Sequence, residues 1–216
     1  MTDGIRRKVM QSETWIYIVD NDPPLRNMLK ALLKSVGLNS QFFSSALEFK
    51  EARLPETLSC LILDVRLPGM SGLELQRELN SGNNKVPIIF LTAYGDIPMA
   101  VRAMKGGAVD FLTKPVREQE LLDAIQAALD RDRLRRVREE HLAGLHARLK
   151  LLTARERELL SWVVSGKPNK EIAAELGMSE ITVKVHRGNL MRKMQAPSFA
   201  ELVRMAAELK IVHRKS

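Results

Sequence analysis

The chain of 216 residues is short of the features that would place it outside the cell interior or in a membrane. It has one cysteine, Cys60. A lone thiol cannot close a disulfide within the chain, and Cys60 lies inside the apolar run Cys60-Leu61-Ile62-Leu63, so it reads as a core residue. No apolar run approaches the length of a membrane span, and the polar start of the chain is unlike a secretory signal, so a cytoplasmic protein with no membrane partner is expected. Arg6-Arg7-Lys8 reads as part of a solvated tail over residues 1–13. The stretch from Met1 to Ala127 has no excess of either charge, with 15 Lys+Arg against 15 Asp+Glu. The stretch from Ala128 to Ser216 holds 19 basic and 11 acidic residues, and so carries the whole formal excess of +8. That separation implies two domains of different duty, the second suited to a polyanion. With 45% apolar residues the chain can build a core for each.

What is present in the first half is an alternation of strand and helix patterns. Trp15-Ile16-Tyr17-Ile18-Val19 is a β-rich run, and Leu25, Met28, Leu29, Leu32 and Leu33 follow at helical spacing up to Gly37. Asn39 to Phe43 predicts a second strand, and Leu47 to Ala52 a helix. Cys60 to Asp64 is a third strand, apolar throughout until its carboxylate and closed by Pro68-Gly69, the mark of a strand buried on both faces. Gly72 to Leu79 predicts a helix, Val86 to Thr92 a strand, Ile97 to Lys105 a helix, Val109 to Leu112 a strand, and a helix starts near Arg117. Five strands alternating with five helices predict a doubly wound parallel sheet of the α/β class.

The polar residues that close these strands are few: Asp20 to Asp22, Asp64, Thr92, and Lys114. In a doubly wound sheet these ends meet at the edge where ligands bind. Crowded carboxylates require a cation, and hard oxygen donors suit Mg²⁺. A hydroxyl and an ammonium beside them suit a transferred phosphoryl group, so the set fits an aspartyl phosphate formed with metal assistance.

At this level of detail residues 14 to 125 resemble the receiver domain of two-component response regulators, the FixJ group in particular. The resemblance rests on Ile18-Val19-Asp20-Asn21-Asp22, Leu63-Asp64-Val65-Arg66-Leu67-Pro68-Gly69-Met70-Ser71-Gly72, Ile89-Phe90-Leu91-Thr92-Ala93 and Gly107-Ala108-Val109-Asp110-Phe111-Leu112-Thr113-Lys114-Pro115. It implies a flavodoxin-like fold in which Asp64 accepts a phosphoryl group from a sensor histidine kinase. Thr92 and Lys114 would bind phosphoryl oxygens, Phe111 would be the aromatic switch, and the Lys114–Pro115 peptide would be cis. Metal ligands would be Asp20, Asn21, Asp64 and the main-chain carbonyl of Arg66. The family's second acidic position is Asn21 here, an amide that contributes no charge, so weakened Mg²⁺ binding is expected unless Asp22 assists.

The pattern from Leu121 continues into the charged run Asp130 to Glu140, expected as a solvated helical linker over 128–150. Leu142, Leu145, Leu149 and Leu152 form a short seam that could pair with a second helix or pack on the next domain, and Gly144 is a point where the helix could break. His141 and His146 are five apart and do not share a helix face as metal ligands would. Thr153 and Glu156 form a capping box for a helix with Leu159, Leu160 and Val163. Asn169 is expected to cap a short helix ending at Gly177. Ser179 caps a third helix whose apolar positions are Ile181, Val183, Leu190 and Met194, and a final helix runs from Ser198.

Two short helices joined at a glycine, the second carrying Lys184, His186, Arg187, Arg192 and Lys193, have the form of a helix-turn-helix. Leu152-Thr153-Ala154-Arg155-Glu156-Arg157-Glu158-Leu159-Leu160, Asn169-Lys170-Glu171-Ile172-Ala173 and Ser179-Glu180-Ile181-Thr182-Val183-Lys184-Val185-His186 resemble the LuxR-type DNA-binding domain of FixJ and NarL. The resemblance implies a small all-α domain over 151–216 that follows a receiver over 14–127. Lys184 and Val185 would face base edges of double-stranded DNA, with Arg187 or Gly188 on the next turn. Asn169, Lys170, Ser179, Thr182 and His186 would serve phosphate contacts or helix capping. The implied protein is a phosphorylation-controlled transcription activator, not an enzyme, that dimerises when phosphorylated and works with RNA polymerase. Two rivals stand beside it. An aspartate-nucleophile phosphatase would carry a second Asp two residues after Asp64, where this chain has Arg66. A DNA-binding protein whose receiver only dimerises would have phosphorylation disabled by Asn21.

Overall fold

The computed structural model describes residues 14–82 and 84–211. The tail expected over 1–13 lies outside the described residues, as do Asn83 and residues 212–216. The chain forms two compact units that divide between Arg135 and Arg136.

In the first unit β1 (Trp15–Val19), β2 (Asn39–Phe43), β3 (Ser59–Leu63), β4 (Ile88–Thr92) and β5 (Asp110–Thr113) form one sheet in the order β2-β1-β3-β4-β5. Every pairing is parallel. The helices between them are α1 (Pro23–Ser35), α2 (Ala46–Glu51), α3 (Gly72–Ser81) and α4 (Ile97–Lys105), and α5 (Glu118–Lys150) follows β5. Alternate residues of each strand enter two cores, one on each face. Ile16, Ile18, Cys60, Ile62, Ile89, Leu91 and Leu112 pack with Leu29 and Leu33 of α1 and Leu121 and Ile125 of α5. Tyr17, Val19, Leu61, Leu63, Ile88 and Phe90 pack with Phe49, Leu75 and Ala103 on the other side. β3 and β4 are buried at all positions, as an apolar strand without alternation requires. The expected α/β doubly wound sheet is therefore the observed one.

The element ends differ from the sequence reading by a residue or two. β4 begins at Ile88 rather than Val86. Pro87 has no N–H to offer a ladder, but its carbonyl accepts from Leu61 N. β3 ends at Leu63, so Asp64 is the first residue beyond the sheet.

The apolar face of α5 stays in the first core through Ala128 and Leu129. One turn later Asp132, fully buried, accepts from the Ser59 N–H at 3.1 Å and from Arg135 Nη2 at 2.6 Å. Gly144 lies within α5 and does not break it. Leu145 and Leu152 are core residues of the second unit, with Leu142 and Leu149 packed against them, so the leucine seam serves that unit's own interior.

The second unit contains α6 (Ala154–Val164), α7 (Asn169–Leu176), α8 (Glu180–Met194) and α9 (Phe199–Glu208). The Thr153–Glu156 capping box starts α6. Gly177 ends α7 with φ of +61°, a left-handed conformation that glycine enters without steric cost. Ser179 Oγ accepts from Thr182 N at the start of α8, at 3.1 Å. Ile172, Leu176, Val183, Leu190, Met194 and Leu202 close the core between these helices.

Candidate functional site

The backbone brings the expected residues to one edge. Asp64 N donates to Val19 O at 3.0 Å, which sets Asp64 beside the end of β1 and hence beside Asp20. Lys114 N donates to Thr92 O at 2.9 Å, which ties the end of β5 to the end of β4. The side chains then converge. Lys114 Nζ donates to Asp20 Oδ2 at 2.6 Å and to Asp64 Oδ2 at 3.1 Å. The two aspartates are almost fully buried and the lysine half-buried, so the ammonium is held between two carboxylates at the carboxyl end of the sheet. The Lys114–Pro115 peptide is cis.

The electrostatics follow from burial. Desolvation pushes the Asp20 carboxyl above its ordinary pKa, although the Lys114 ammonium and the Asp22 N–H both act in the opposite direction. Burial works against charge on Lys114 too, but its bonds to Asp20 and Asp64 outweigh it and raise its pKa, so it stays an ammonium. Thr92 is buried, and its Oγ1 accepts from Tyr94 N at 3.3 Å, which leaves its hydroxyl proton to be donated. Phe111 is half-buried, its ring centroid 6.0 Å from that of Phe90. A Cβ built on Gly95 would lie 2.8 Å from the edge of the Phe111 ring, so the loop after β4 packs directly on it.

Asn21 is exposed, and Asp22 stands at the N-cap of α1 with no side-chain capping bond. Arg66 N donates to Asp64 Oδ1 at 3.1 Å. The Arg66 guanidinium lies 3.9 Å from the centroid of Tyr94, which joins the loop after β3 to the loop after β4. Sequence reasoning missed Tyr94, because two residues in separate loops carry no mark of stacking. The residues expected as metal ligands, Asp20, Asp64, the Asn21 amide and the Arg66 carbonyl, offer only oxygen atoms, a chemistry that suits a hard cation such as Mg²⁺. Among the described residues no group of three or more His, Cys, Asp and Glu could hold a metal.

In the second unit Lys170, Thr182, Lys184 and Val185 are exposed, as is Ser179. Asn169 does not cap α7: Pro168 holds the N-cap position, and Asn169 Oδ1 instead accepts from Arg187 Nη1 at 2.9 Å. Arg187 also lies 5.7 Å from the Phe199 ring centroid, so its side chain is engaged within the unit. His186 is half-buried, and among the described residues its Nδ1 has no hydrogen-bond partner. Ile181, the first of the apolar positions noted for α8, is 77% exposed.

Comparison with known proteins agrees with both halves of this geometry. Residues 16–126 match the response regulator receiver domain, and residues 150–206 match the bacterial regulatory proteins of the luxR family. The chain is 52% identical over 196 residues to nodulation protein W of Bradyrhizobium diazoefficiens, covering 91% of this chain and 86% of that protein. It is 42% identical over 191 residues to the transcriptional regulatory protein FixJ of Azorhizobium caulinodans, covering 88% and 90%. Among solved structures, the response regulator StyR aligns with a TM-score of 0.79 at 46% identity over 91% of this chain and 99% of that one. Full-length FixJ from B. japonicum aligns with a TM-score of 0.55 at 38% identity over 92% and 98%. Receiver domains generally bind Mg²⁺ at their phosphorylation site and answer to a histidine kinase, and the luxR-type domain implies DNA binding. No helix among the described residues is long and apolar enough to cross a membrane. With relatives that are transcriptional regulators rather than enzymes, and both of its domains accounted for, this chain belongs to the FixJ-like response regulators, which join a receiver to a LuxR-type DNA-binding domain.

Proposed function

We propose that Asp64 is the phosphoacceptor of a cytoplasmic two-component transcription activator. The observation that carries this reading is the Lys114 ammonium bridging Asp20 and Asp64 at the carboxyl edge of the sheet. A carboxylate oxygen of Asp64 attacks the phosphorus of a phosphohistidine on the sensor kinase. The bond from phosphorus to the imidazole nitrogen breaks, the nitrogen leaves with the electron pair, and an acyl phosphate remains on Asp64. Lys114 meets the charge on one phosphoryl oxygen, and the Thr92 hydroxyl donates to another. Asp20, Asp64, Asn21 and the Arg66 carbonyl would hold Mg²⁺, which supplies charge neutralisation at the transferring phosphoryl. Movement of Thr92 and Phe111 then alters the receiver surface. Phosphorylation promotes dimerisation or frees the DNA-binding domain, and the α8 helices of two chains address a two-fold site where RNA polymerase is recruited. In this reading residues 14–127 are the receiver, 128–150 the linker and 151–216 the DNA-binding domain.

Incubation with acetyl phosphate and Mg²⁺ tests the assignment. The wild-type chain should gain one acid-stable, base-labile phosphate, and Asp64→Ala should gain none. A wild-type chain that takes no label would leave a receiver that serves only to assemble the protein, the reading favoured by the neutral Asn21.

A further inference from the structure

The outer face of α8 is built of the wrong residues for a face that meets only water. The helix buries Val183, Leu190 and Met194 in the core of the second unit. Its opposite side is a stripe of exposed positions, Ile181, Lys184, Val185, Gly188 and Arg192, spaced at the helical period. A helix packed on a core ordinarily places polar side chains there. Here Ile181 is 77% exposed and Val185 57% exposed, four residues apart and therefore neighbours on the helix surface. Lys184 lies between them. At Gly188 an added Cβ would meet nothing within 4 Å among the described residues, so the backbone of the next turn is bare and open to close approach.

The chemistry of the stripe selects its occupant. Lys184 and Arg192 share the stripe with the apolar pair, Lys170 is exposed on α7, and the half of the chain that contains them carries the whole basic excess. An apolar protein groove would find these cationic groups at its rim, whereas a DNA major groove is flanked by phosphates that attract them. Within that groove the apolar group on a base edge is the C5-methyl of thymine. Ile181 is the second residue of α8, and the first turns of such a helix are the ones that reach base edges.

We infer that Ile181 and Val185 are specificity-determining residues that read thymine methyl groups on adjacent steps of the operator, with Lys184 anchoring the pair. The inference rests on the DNA-binding reading above and adds the base chemistry to it. It makes Ile181 a base-reading residue rather than a core one, and it predicts operators with thymines at fixed positions in each half-site.

The test uses the full chain, phosphorylated with acetyl phosphate, to select duplexes from a library of random sequence. The selected duplexes are resynthesised with deoxyuridine in place of single thymidines, which removes one methyl and nothing else. Wild-type protein should lose about fourfold in affinity for each methyl it reads, the worth of one CH₂ group taken out of water. Ile181→Ala should bind the thymine and uracil duplexes equally at one of those positions, and Val185→Ala at another. Both variants change exposed side chains, so their melting temperatures should match the wild type, and the uracil duplexes test the wild-type chain without any substitution. Wild-type binding that ignores every thymine-to-uracil change while still selecting a sequence overturns the inference and leaves the DNA reading intact. A selection that enriches nothing overturns both. An Ile181→Ala chain that changes self-association in the absence of DNA, with its base discrimination unaltered, assigns the stripe to a second copy of the chain and overturns the inference as well.

Discussion

At the scale of single residues, the site is two carboxylates sharing one ammonium, and its one departure is Asn21. An amide oxygen can ligate Mg²⁺ but contributes no charge, and affinity for a hard cation follows the charge of its ligands. Asn21→Asp should therefore raise Mg²⁺ affinity by about tenfold or more, a rise read by calorimetric titration of the two proteins. Equal affinities would mean that position 21 is not a ligand, or that Asp22, whose side chain is not spent on capping α1, already supplies the charge. Asp64 and Lys114 were legible in the sequence because polar residues closing an apolar strand are rare, and a parallel sheet delivers all such ends to one edge. The stacking of Arg66 on Tyr94 was not legible. Neither was the exposure of Ile181, since an apolar residue at helical spacing reads as core until its surroundings are known. The capping expected of Asn169 is not observed, for a related reason. Its type and position suit a cap, but Pro168 holds that place and the Asn169 carbonyl oxygen accepts instead from the Arg187 guanidinium eighteen residues later.

At the scale of elements, strand and helix order was readable throughout, because β1, β3 and β4 are short, mostly apolar runs and residues such as Gly37, Pro68-Gly69 and Gly106-Gly107 punctuate the chain between elements. What escaped the sequence were the long-range polar ties. The charged run from Asp130 predicts a solvated helix, and Leu134 and Val137 are indeed exposed, yet Asp132 is buried against the Ser59 N–H at the start of β3. Nothing local marks it. Glu156 is the corresponding tie in the second unit: it completes the cap of α6, and its carboxylate accepts from Lys193 Nζ of α8 at 2.6 Å. Burial alone would raise the Glu156 pKa, but the bonds from Lys193 and Thr153 outweigh it and hold it below the ordinary glutamate value of 4.5. A carboxylate whose pKa is lower folded than unfolded contributes stability that is complete above the unfolded value and disappears as pH falls through the folded one. The melting temperature of wild type should thus exceed that of Glu156→Gln at neutral pH, and the gap should close as pH drops below 4.5. A gap that persists unchanged into that acid range would show that the carboxylate charge is not what joins α6 to α8.

At the scale of the whole molecule, charge is divided as sharply as fold. The stretch through Ala127 is neutral and the remainder carries the full +8, so the attraction to DNA belongs to one domain while the proposed phosphoryl chemistry belongs to the other. Such a division gives a way to separate the two routes by which phosphorylation could reach DNA. Each phosphate neutralised by a bound protein contributes about −0.9 to the slope of log K against log salt on duplex DNA. If phospho-Asp64 joins two chains, the bound complex carries two basic domains, and the slope should roughly double relative to the unmodified chain. If phosphorylation only frees a single domain, affinity rises at fixed salt while the slope keeps its single-domain value. Titrations of one selected duplex at several salt concentrations, with unmodified, acetyl phosphate-treated and Asp64→Ala protein, distinguish these outcomes. We expect the doubled slope, because a two-fold site needs two α8 helices and a lone neutral receiver adds no contact with DNA of its own. The Asp64→Ala chain should keep the shallow slope whether or not acetyl phosphate is present. A steep slope in that variant would place assembly upstream of the phosphoryl group, and the receiver would then act as a fixed dimer module rather than a switch.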